Sequence, residues 1–255
     1  MSVRRSGRPR VLVVAGLDPT GGAGLVADLE AARAVGADAF LVASALTAQG
    51  PRGARGFEPA SEGMVLAQID ALLDGAAPRE RPSAVKTGML ATASIARALA
   101  RRLSEPPLAR VPLVLDPVLA ASSGARLLDP AGGTAGDALA PLLARARLAT
   151  PNLPELEALT GRDVSTDEGA IRAARDLPAQ AVLVKGGHRG GAPLDLLVEG
   201  RRVIRFPGRR RRGTARGTGC RLASAIAGML ARGAPLEEAI RAAKRVVERY
   251  LDRAL

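Results

Sequence analysis

The 255-residue sequence predicts an α/β protein, a mainly parallel β-sheet covered by helices on both faces. Three observations carry this reading. Short β-like runs alternate with amphipathic segments along nearly the whole chain. The run Val11-Leu12-Val13-Val14 is apolar at every position, as a strand buried on both faces must be. Polar and glycine-rich clusters follow the strands, at the end where open α/β sheets bind ligands.

The first strand is placed at residues 11–15; it feeds a glycine-rich turn, 16–24, and a helix over 24–34. A second strand at 39–45 is followed by a Pro- and Gly-containing loop at 49–58 and a helix over 62–73. Strands at 84–86, 113–116, 148–150 and 181–185 then alternate with helices at 92–103, 137–144, 153–159 and 167–176. Two more strands, 196–199 and 203–205, precede helices at 220–231 and 235–250. In the last helix Leu236, Ala239, Ile240, Ala243, Val247 and Tyr250 share one face, with Arg and Glu opposite. Gly233 and Pro235 stop one helix and start the next. No linker or repeat interrupts this order, so residues 10–255 read as one domain behind a flexible extension, 1–9.

Hydrophobic residues make up 47% of the chain, ample for a core, and no apolar stretch reaches the roughly 20 residues of a spanning helix. Arg4, Arg5, Arg8 and Arg10 precede an apolar run that stops at Asp18-Pro19 without a small-residue cleavage site, which fits a buried strand better than a signal peptide. The single cysteine, Cys220, excludes an intrachain disulfide and fits the reducing cytoplasm. A net charge of +12 raises the question of nucleic acid, but the arginines are spread over many helix surfaces and aromatics, at 2%, are too few to stack bases. The cluster Arg209-Arg210-Arg211-Arg212 reads as a solvated loop or as an attractor for an anionic substrate.

Four clusters can carry chemistry. The turn 16–24 allows close backbone approach to a ligand, yet it is neither a dinucleotide fingerprint nor a P-loop, lacking G-x-G-x-x-G and a closing Lys-Ser/Thr. Asp28, near the inward face of the next helix, needs a partner there, or else lies at the surface edge, favoured by the helix dipole. The segment Arg216-Gly217-Thr218-Gly219-Cys220 opens a helix with small residues, so its amides converge on one point and suit an anion. At that helix start the Cys220 thiol is expected to have a lowered pKa and to serve as base or polar contact; the alternative is a buried structural cysteine. Asn152 reads as an N-cap with Glu155 as its reciprocal partner, and the same oxygens suit a water-mediated Mg²⁺. Lys185, in Lys185-Gly186-Gly187-His188, offers a point charge to phosphate. His188 is the only histidine, which excludes a multi-His metal site within one chain.

In order along the chain, AGLDPTGGAGLVADL (15–29), ALTAQ (45–49), VKTGML (85–90), VLDPVLAASSG (114–124), TPNLPELEAL (150–159), VLVKGGH (182–188) and GTGC (217–220) resemble the hydroxymethylpyrimidine/phosphomethylpyrimidine kinases of the ribokinase-like superfamily. The resemblance implies a three-layer αβα fold, a homodimer, Mg²⁺, and transfer of the ATP γ-phosphate to a hydroxymethyl or phosphomethyl aminopyrimidine in thiamine biosynthesis. By position it implies that Gly16, Ala23, Asp28, Gln49, Met89 and Val118 line the pyrimidine pocket, with Asp28 and Gln49 reading the ring edge. It implies an anion hole of Gly217, Thr218 and Gly219 with Cys220 beside the reacting hydroxyl. Asp116, Asn152 and Lys185 fall on the nucleotide side, and Glu155 with Asn152 on the metal.

The chain departs from the family pattern at Val26, Gly50, Ser122, Ala215-Arg216 and Arg221, where Gln, Asn, Lys, Thr-His and Thr are usual. These changes bear on the second phosphorylation and on substrate choice. A pyridoxal or pyridoxine kinase of the same superfamily is the nearest alternative. A non-catalytic pyrimidine-binding regulator is another, prompted by Ser122 and Arg216.

Overall fold

The computed structural model describes residues 7–50, 53–121, 124, 126–188, 192–209 and 215–254. Residues 1–6 of the expected extension, Ser122 and Arg210 to Arg212 lie outside these. Eleven strands and eight α-helices follow among the described residues. The strands are β1 (Arg10–Leu17), β2 (Asp38–Gly50), β3 (Gly53–Pro59), β4 (Ala84–Thr87), β5 (Ala91–Thr92), β6 (Leu113–Leu115), β7 (Leu128–Asp129), β8 (Leu148–Ala149), β9 (Val182–Val184), β10 (Leu194–Glu199) and β11 (Arg202–Pro207). The helices are α1 (Gly24–Ala34), α2 (Glu62–Leu73), α3 (Ala93–Leu103), α4 (Ala135–Arg145), α5 (Leu153–Thr160), α6 (Asp167–Asp176), α7 (Thr218–Ala231) and α8 (Leu236–Ala254).

Nine strands form one sheet in the order β11-β10-β9-β8-β6-β4-β1-β2-β3. The six from β9 to β2 run parallel, while β3 is antiparallel to β2 and β10 is antiparallel to both its neighbours. The chain leaves β1 for β2 on one side and returns to β4 on the other, so the order reverses between β1 and β4. A crevice opens at such a reversal, beyond the carboxyl ends of the strands.

Alternation along β1 divides its side chains between two cores. Val11, Val13 and Ala15 pack with α1, α7 and α8; Leu12 and Val14 pack with the layer of α2 to α6. The result is the expected three-layer αβα arrangement with one sheet buried on both faces.

One expectation is corrected. Residues 49–58 were expected as loop, but β2 continues to Gly50 and pairs with β3 as an antiparallel ladder. This edge pair lacks a clear period-two pattern because neither side is pressed into a main core. Gly53, Gly56 and Arg55 carry the strand through backbone pairing alone, which composition does not announce.

Helix α7 reaches the site because it crosses α1 closely. A Cβ on Gly228 would stand 2.7 Å from Val35 Cγ2 and 3.3 Å from Ala37 Cβ. Gly228→Ala is therefore expected to lower unfolding free energy by about 1–3 kcal/mol through overpacking, measured by urea denaturation; an unchanged midpoint would show that the crossing has room to spare.

Candidate active site

The turn after β1 is organised by Asp18, buried at its centre. Its Oδ1 accepts from the Thr20 amide at 2.9 Å and the Thr20 hydroxyl at 2.8 Å, and its Oδ2 accepts from the Ala23 amide at 3.0 Å. The turn lies against the start of α7. Gly217 adopts φ 71°, and a Cβ there would fall 2.1 Å from the Gly22 carbonyl oxygen. Only glycine permits both the left-handed conformation and this approach.

Gly217 caps α7 without a side-chain bond, and the Arg221 amide donates to its carbonyl at 2.9 Å. The amides of Thr218, Gly219 and Cys220 therefore have no intrahelical acceptor and form the positive end of the helix. Beneath Gly219 lies a charged cluster. Lys185 Nζ is 3.2 Å, and Asp116 Oδ2 3.8 Å, from the point a Gly219 Cβ would occupy. Lys185 donates to Asp116 Oδ1 at 2.8 Å and stands 3.7 Å from Glu155 Oε2. Burial works against the Lys185 ammonium, but Asp116 and Glu155 hold its pKa above the ordinary lysine value. Burial pushes the Glu155 carboxyl above its usual range despite Lys185. Asn152 and Glu155 make the expected reciprocal cap: Asn152 Oδ1 accepts from the Glu155 amide and Glu155 Oε2 from the Asn152 amide, both at 2.8 Å.

Among the described residues no group of three or more His, Cys, Asp or Glu side chains could hold a metal by itself. Asp116 Oδ2 and Glu155 Oε1 take part in none of the hydrogen bonds above. Two carboxylate oxygens fit a Mg²⁺ ion that keeps most of its ligands as water and substrate phosphate.

Ala45, Met89 and Ala91 form a small apolar cluster with Val118, Phe57 and Leu127 against it. Gly16 adjoins it, since a Cβ there would meet Met89 Sδ at 2.9 Å and Thr47 Cγ2 at 3.6 Å. Ser44 Oγ donates to the Met89 carbonyl at 2.5 Å and fixes the loop after β4. Gln49 stands beyond Thr47 and is held by Arg216, whose Nη2 donates to Gln49 Oε1 at 2.5 Å and to Asp18 Oδ2 at 3.3 Å. Contacts link Gly16 to Met89 with Val118 against it, Ala23 to Gly217, and Gln49 to Arg216, while Lys185 and Asp116 lie under Gly219 beside Glu155 and its capping partner Asn152. His188 ends a single 3₁₀ turn after β9.

Two expectations change. Asp28 was expected to read a ring edge, but it is fully buried and its carboxylate is occupied. Lys86 Nζ donates to Oδ1 at 2.8 Å and Oδ2 at 2.9 Å, and Ser224 Oγ donates to Oδ1 at 2.7 Å. A carboxylate on the inward face found the partner it needed within the core, leaving no exposed oxygen for a ligand. The Lys86 ammonium, opposed by burial, is held above the ordinary lysine value by Asp28 and by Cys220 and Asp116 behind it. Cys220 was expected to have a lowered pKa. Burial instead pushes the thiol up to about 11, with Asp28 and Asp116 adding to the shift and Lys86 and the Gly24 amide opposing it. Desolvation and two nearby carboxylates outweigh Lys86 and the Gly24 amide.

Sequence reading assigned no role to Lys86 or Ser224, and gave Asp18 only a place after β1. Lys86 had a visible signal, a lysine directly after the apolar pair Ala84-Val85 in a short strand, Ala84–Thr87. Ser224, one turn beyond Cys220, had none.

At neutral pH Cys220 is a thiol, not a thiolate. Its alkylation rate by iodoacetamide should keep rising from pH 7 through pH 10, because the reactive thiolate grows until pH passes about 11; a plateau below pH 8.5 would contradict this.

The family model for phosphomethylpyrimidine kinase matches residues 18–255. A thiamine biosynthesis bifunctional protein of Geobacter sulfurreducens is 42% identical over 96% of the chain, and the chain spans 50% of that longer protein. Among solved structures, a phosphomethylpyrimidine kinase from Clostridium difficile is 30% identical with a TM-score of 0.79, covering 96% of this chain and 100% of that one. An ADP complex of Bacillus subtilis pyridoxal kinase is 29% identical with a TM-score of 0.81, covering 93% and 89%. The chain shares the architecture of these kinases, and it belongs to the phosphomethylpyrimidine kinase family of phosphotransferases.

Proposed function

We propose that this chain transfers the γ-phosphoryl group of ATP to 4-amino-5-hydroxymethyl-2-methylpyrimidine, its monophosphate, or both, in thiamine biosynthesis. One arrangement carries the reading: the helix-start amides of residues 218–220 lie over the Asp116–Lys185–Glu155 cluster, and the turn packed on Gly217 begins at Gly16, which adjoins the apolar Met89 cluster. The names of the relatives, kinases of phosphomethylpyrimidine and of pyridoxal, support both halves.

The ring lies against Met89 and Val118 beside Gly16, with Ala23 and Gln49 at the rim. On the hydroxymethyl substrate its hydroxyl oxygen, and on the monophosphate a phosphate oxygen, bonds to the γ-phosphorus as the bond to the β–γ bridging oxygen breaks; ADP leaves, and in the first case the hydroxyl proton is released. The Thr218, Gly219 and Cys220 amides face the charge on the transferring group, and Lys185 adds a fixed positive charge beside Gly219. With a raised pKa, Cys220 donates to or contacts the hydroxyl rather than drawing off its proton. Mg²⁺ bound with ATP would neutralise phosphate charge next to Asp116 and Glu155, with Asn152 alongside. Asp28 acts from beneath, by positioning α7.

The cytoplasm is our reading of the protein's compartment, supported by the single cysteine, which excludes an intrachain disulfide. A homodimer accounts for the register partners Leu17 and Leu46, which stand 37% and 58% exposed.

A pyridoxal kinase activity is the second reading, favoured by the ADP-bound pyridoxal kinase with a TM-score of 0.81. An ADP-release assay with the pyrimidine, its monophosphate and pyridoxal separates the two. Turnover on a pyrimidine, lost with EDTA, is expected to exceed that on pyridoxal; no turnover with either pyrimidine would sink the first reading. Light scattering should give the mass of two chains, and a monomer at micromolar concentration would remove the dimer.

A further inference from the structure

We propose that Arg216 fixes the polarity of Gln49, so that the site accepts a ring edge bearing a hydrogen-bond acceptor and rejects one bearing a donor. The inference rests on the ring-binding pocket proposed above. A guanidinium has five donors and no acceptor, so the Gln49 atom 2.5 Å from Arg216 Nη2 must be the amide oxygen. The usual ambiguity between the two ends of a glutamine amide is resolved by chemistry.

Arg216 is itself held. Nη2 donates to buried Asp18 Oδ2 at 3.3 Å, Nη1 to the Gly50 carbonyl at 3.4 Å, and the Arg216 carbonyl accepts from Tyr250 Oη at 3.0 Å. It thereby joins the turn after β1, the end of β2, the start of α7 and the end of α8. Gln49 is aimed by its strand. Ala45, Thr47 and Gln49 alternate on the face that carries Gly16 and Met89, and the ladder shifts register at Ala48/Gln49. Among the described residues the Gln49 amino group has no hydrogen-bond partner. What Gln49 offers a ligand is two N–H donors. A bare ring nitrogen satisfies one, a C–H leaves it unpaired, and a ring N–H opposes it. The difference between the first and last is expected to be roughly 10- to 100-fold in binding.

The test is a calorimetric panel on the full chain. Each ring nitrogen of 4-amino-5-hydroxymethyl-2-methylpyrimidine is kept, replaced by C–H, or replaced by the N–H of the matching lactam. At one ring position the wild type should bind bare nitrogen best and N–H worst. Arg216→Ala frees the amide to turn its oxygen inward, so the N–H ring should recover to within about 3-fold of the parent. Arg216→Lys, still a donor only, should keep the wild-type order. Gln49→Glu, an acceptor pointing both ways, should reverse it at the same position; this variant bears on the idea even where Arg216→Ala unfolds. On the preferred ring Arg216→Ala should raise KM more than it lowers kcat. No such order at either position, an unchanged span in Arg216→Ala, or no ring binding at all would overturn the inference. Ring binding with the predicted order but no phosphorylation would sink the kinase reading alone. Full turnover with an unchanged span would sink only this one.

Discussion

The structure depends on a fully buried ion pair. Asp28 from α1 meets Lys86 from β4, and Ser224 from α7 completes the carboxylate's bonds, so one cluster pins two helices to the centre of the sheet. Burying two charges costs several kcal/mol each, and the pair offsets this only while all partners are present; losing one typically costs about 3–5 kcal/mol. Ser224 lies one turn from Cys220, so the same bonds set the height and rotation of the open helix end. The raised thiol pKa belongs to this arrangement: desolvation is its largest cause, and Asp28 and Asp116 add to it while Lys86 opposes it.

The site holds four carboxylates against three cationic side chains although the chain carries +12 overall. Asp18, Asp28, Asp116 and Glu155 are matched by Arg216, Lys86 and Lys185, each in a contact of 3.7 Å or less. A triphosphate arriving here meets cations already engaged by carboxylates rather than a free cationic surface. The fixed positive element is then the helix-start amides at residues 218–220, which have no intrahelical acceptor, joined by Lys185 and by any cation the phosphates bring. Surface arginines raise the local concentration of anions but do not orient them.

Much of the fold was legible in the sequence because the sheet is buried on both faces. Apolar runs such as Val11-Leu12-Val13-Val14, and stop signals such as Gly233 with Pro235, mark elements by local chemistry. The edge strand β3 was hidden because its pairing is a matter of backbone geometry. On the nucleotide side, Asn152 and Glu155 sit three residues apart, and the cap they form is a local event readable from spacing. The Asp28–Lys86 pair spans 58 residues and the Arg216–Gln49 bond spans 167. Neither partner's local surroundings carry a sign of the other.

By itself the sequence determined the alternation of elements, the side of the sheet where polar residues gather, and the small-residue opening of α7. These follow from periodicity, capping and the backbone freedom of glycine, all properties of neighbours along the chain. Only the tertiary structure decided that Asp28 is a buried strut, that the Cys220 thiol stays protonated at neutral pH, and that the Gln49 oxygen is taken by Arg216. Each of those outcomes turns on desolvation and on charges brought together from distant segments, and the same residue types in an open turn would have behaved otherwise.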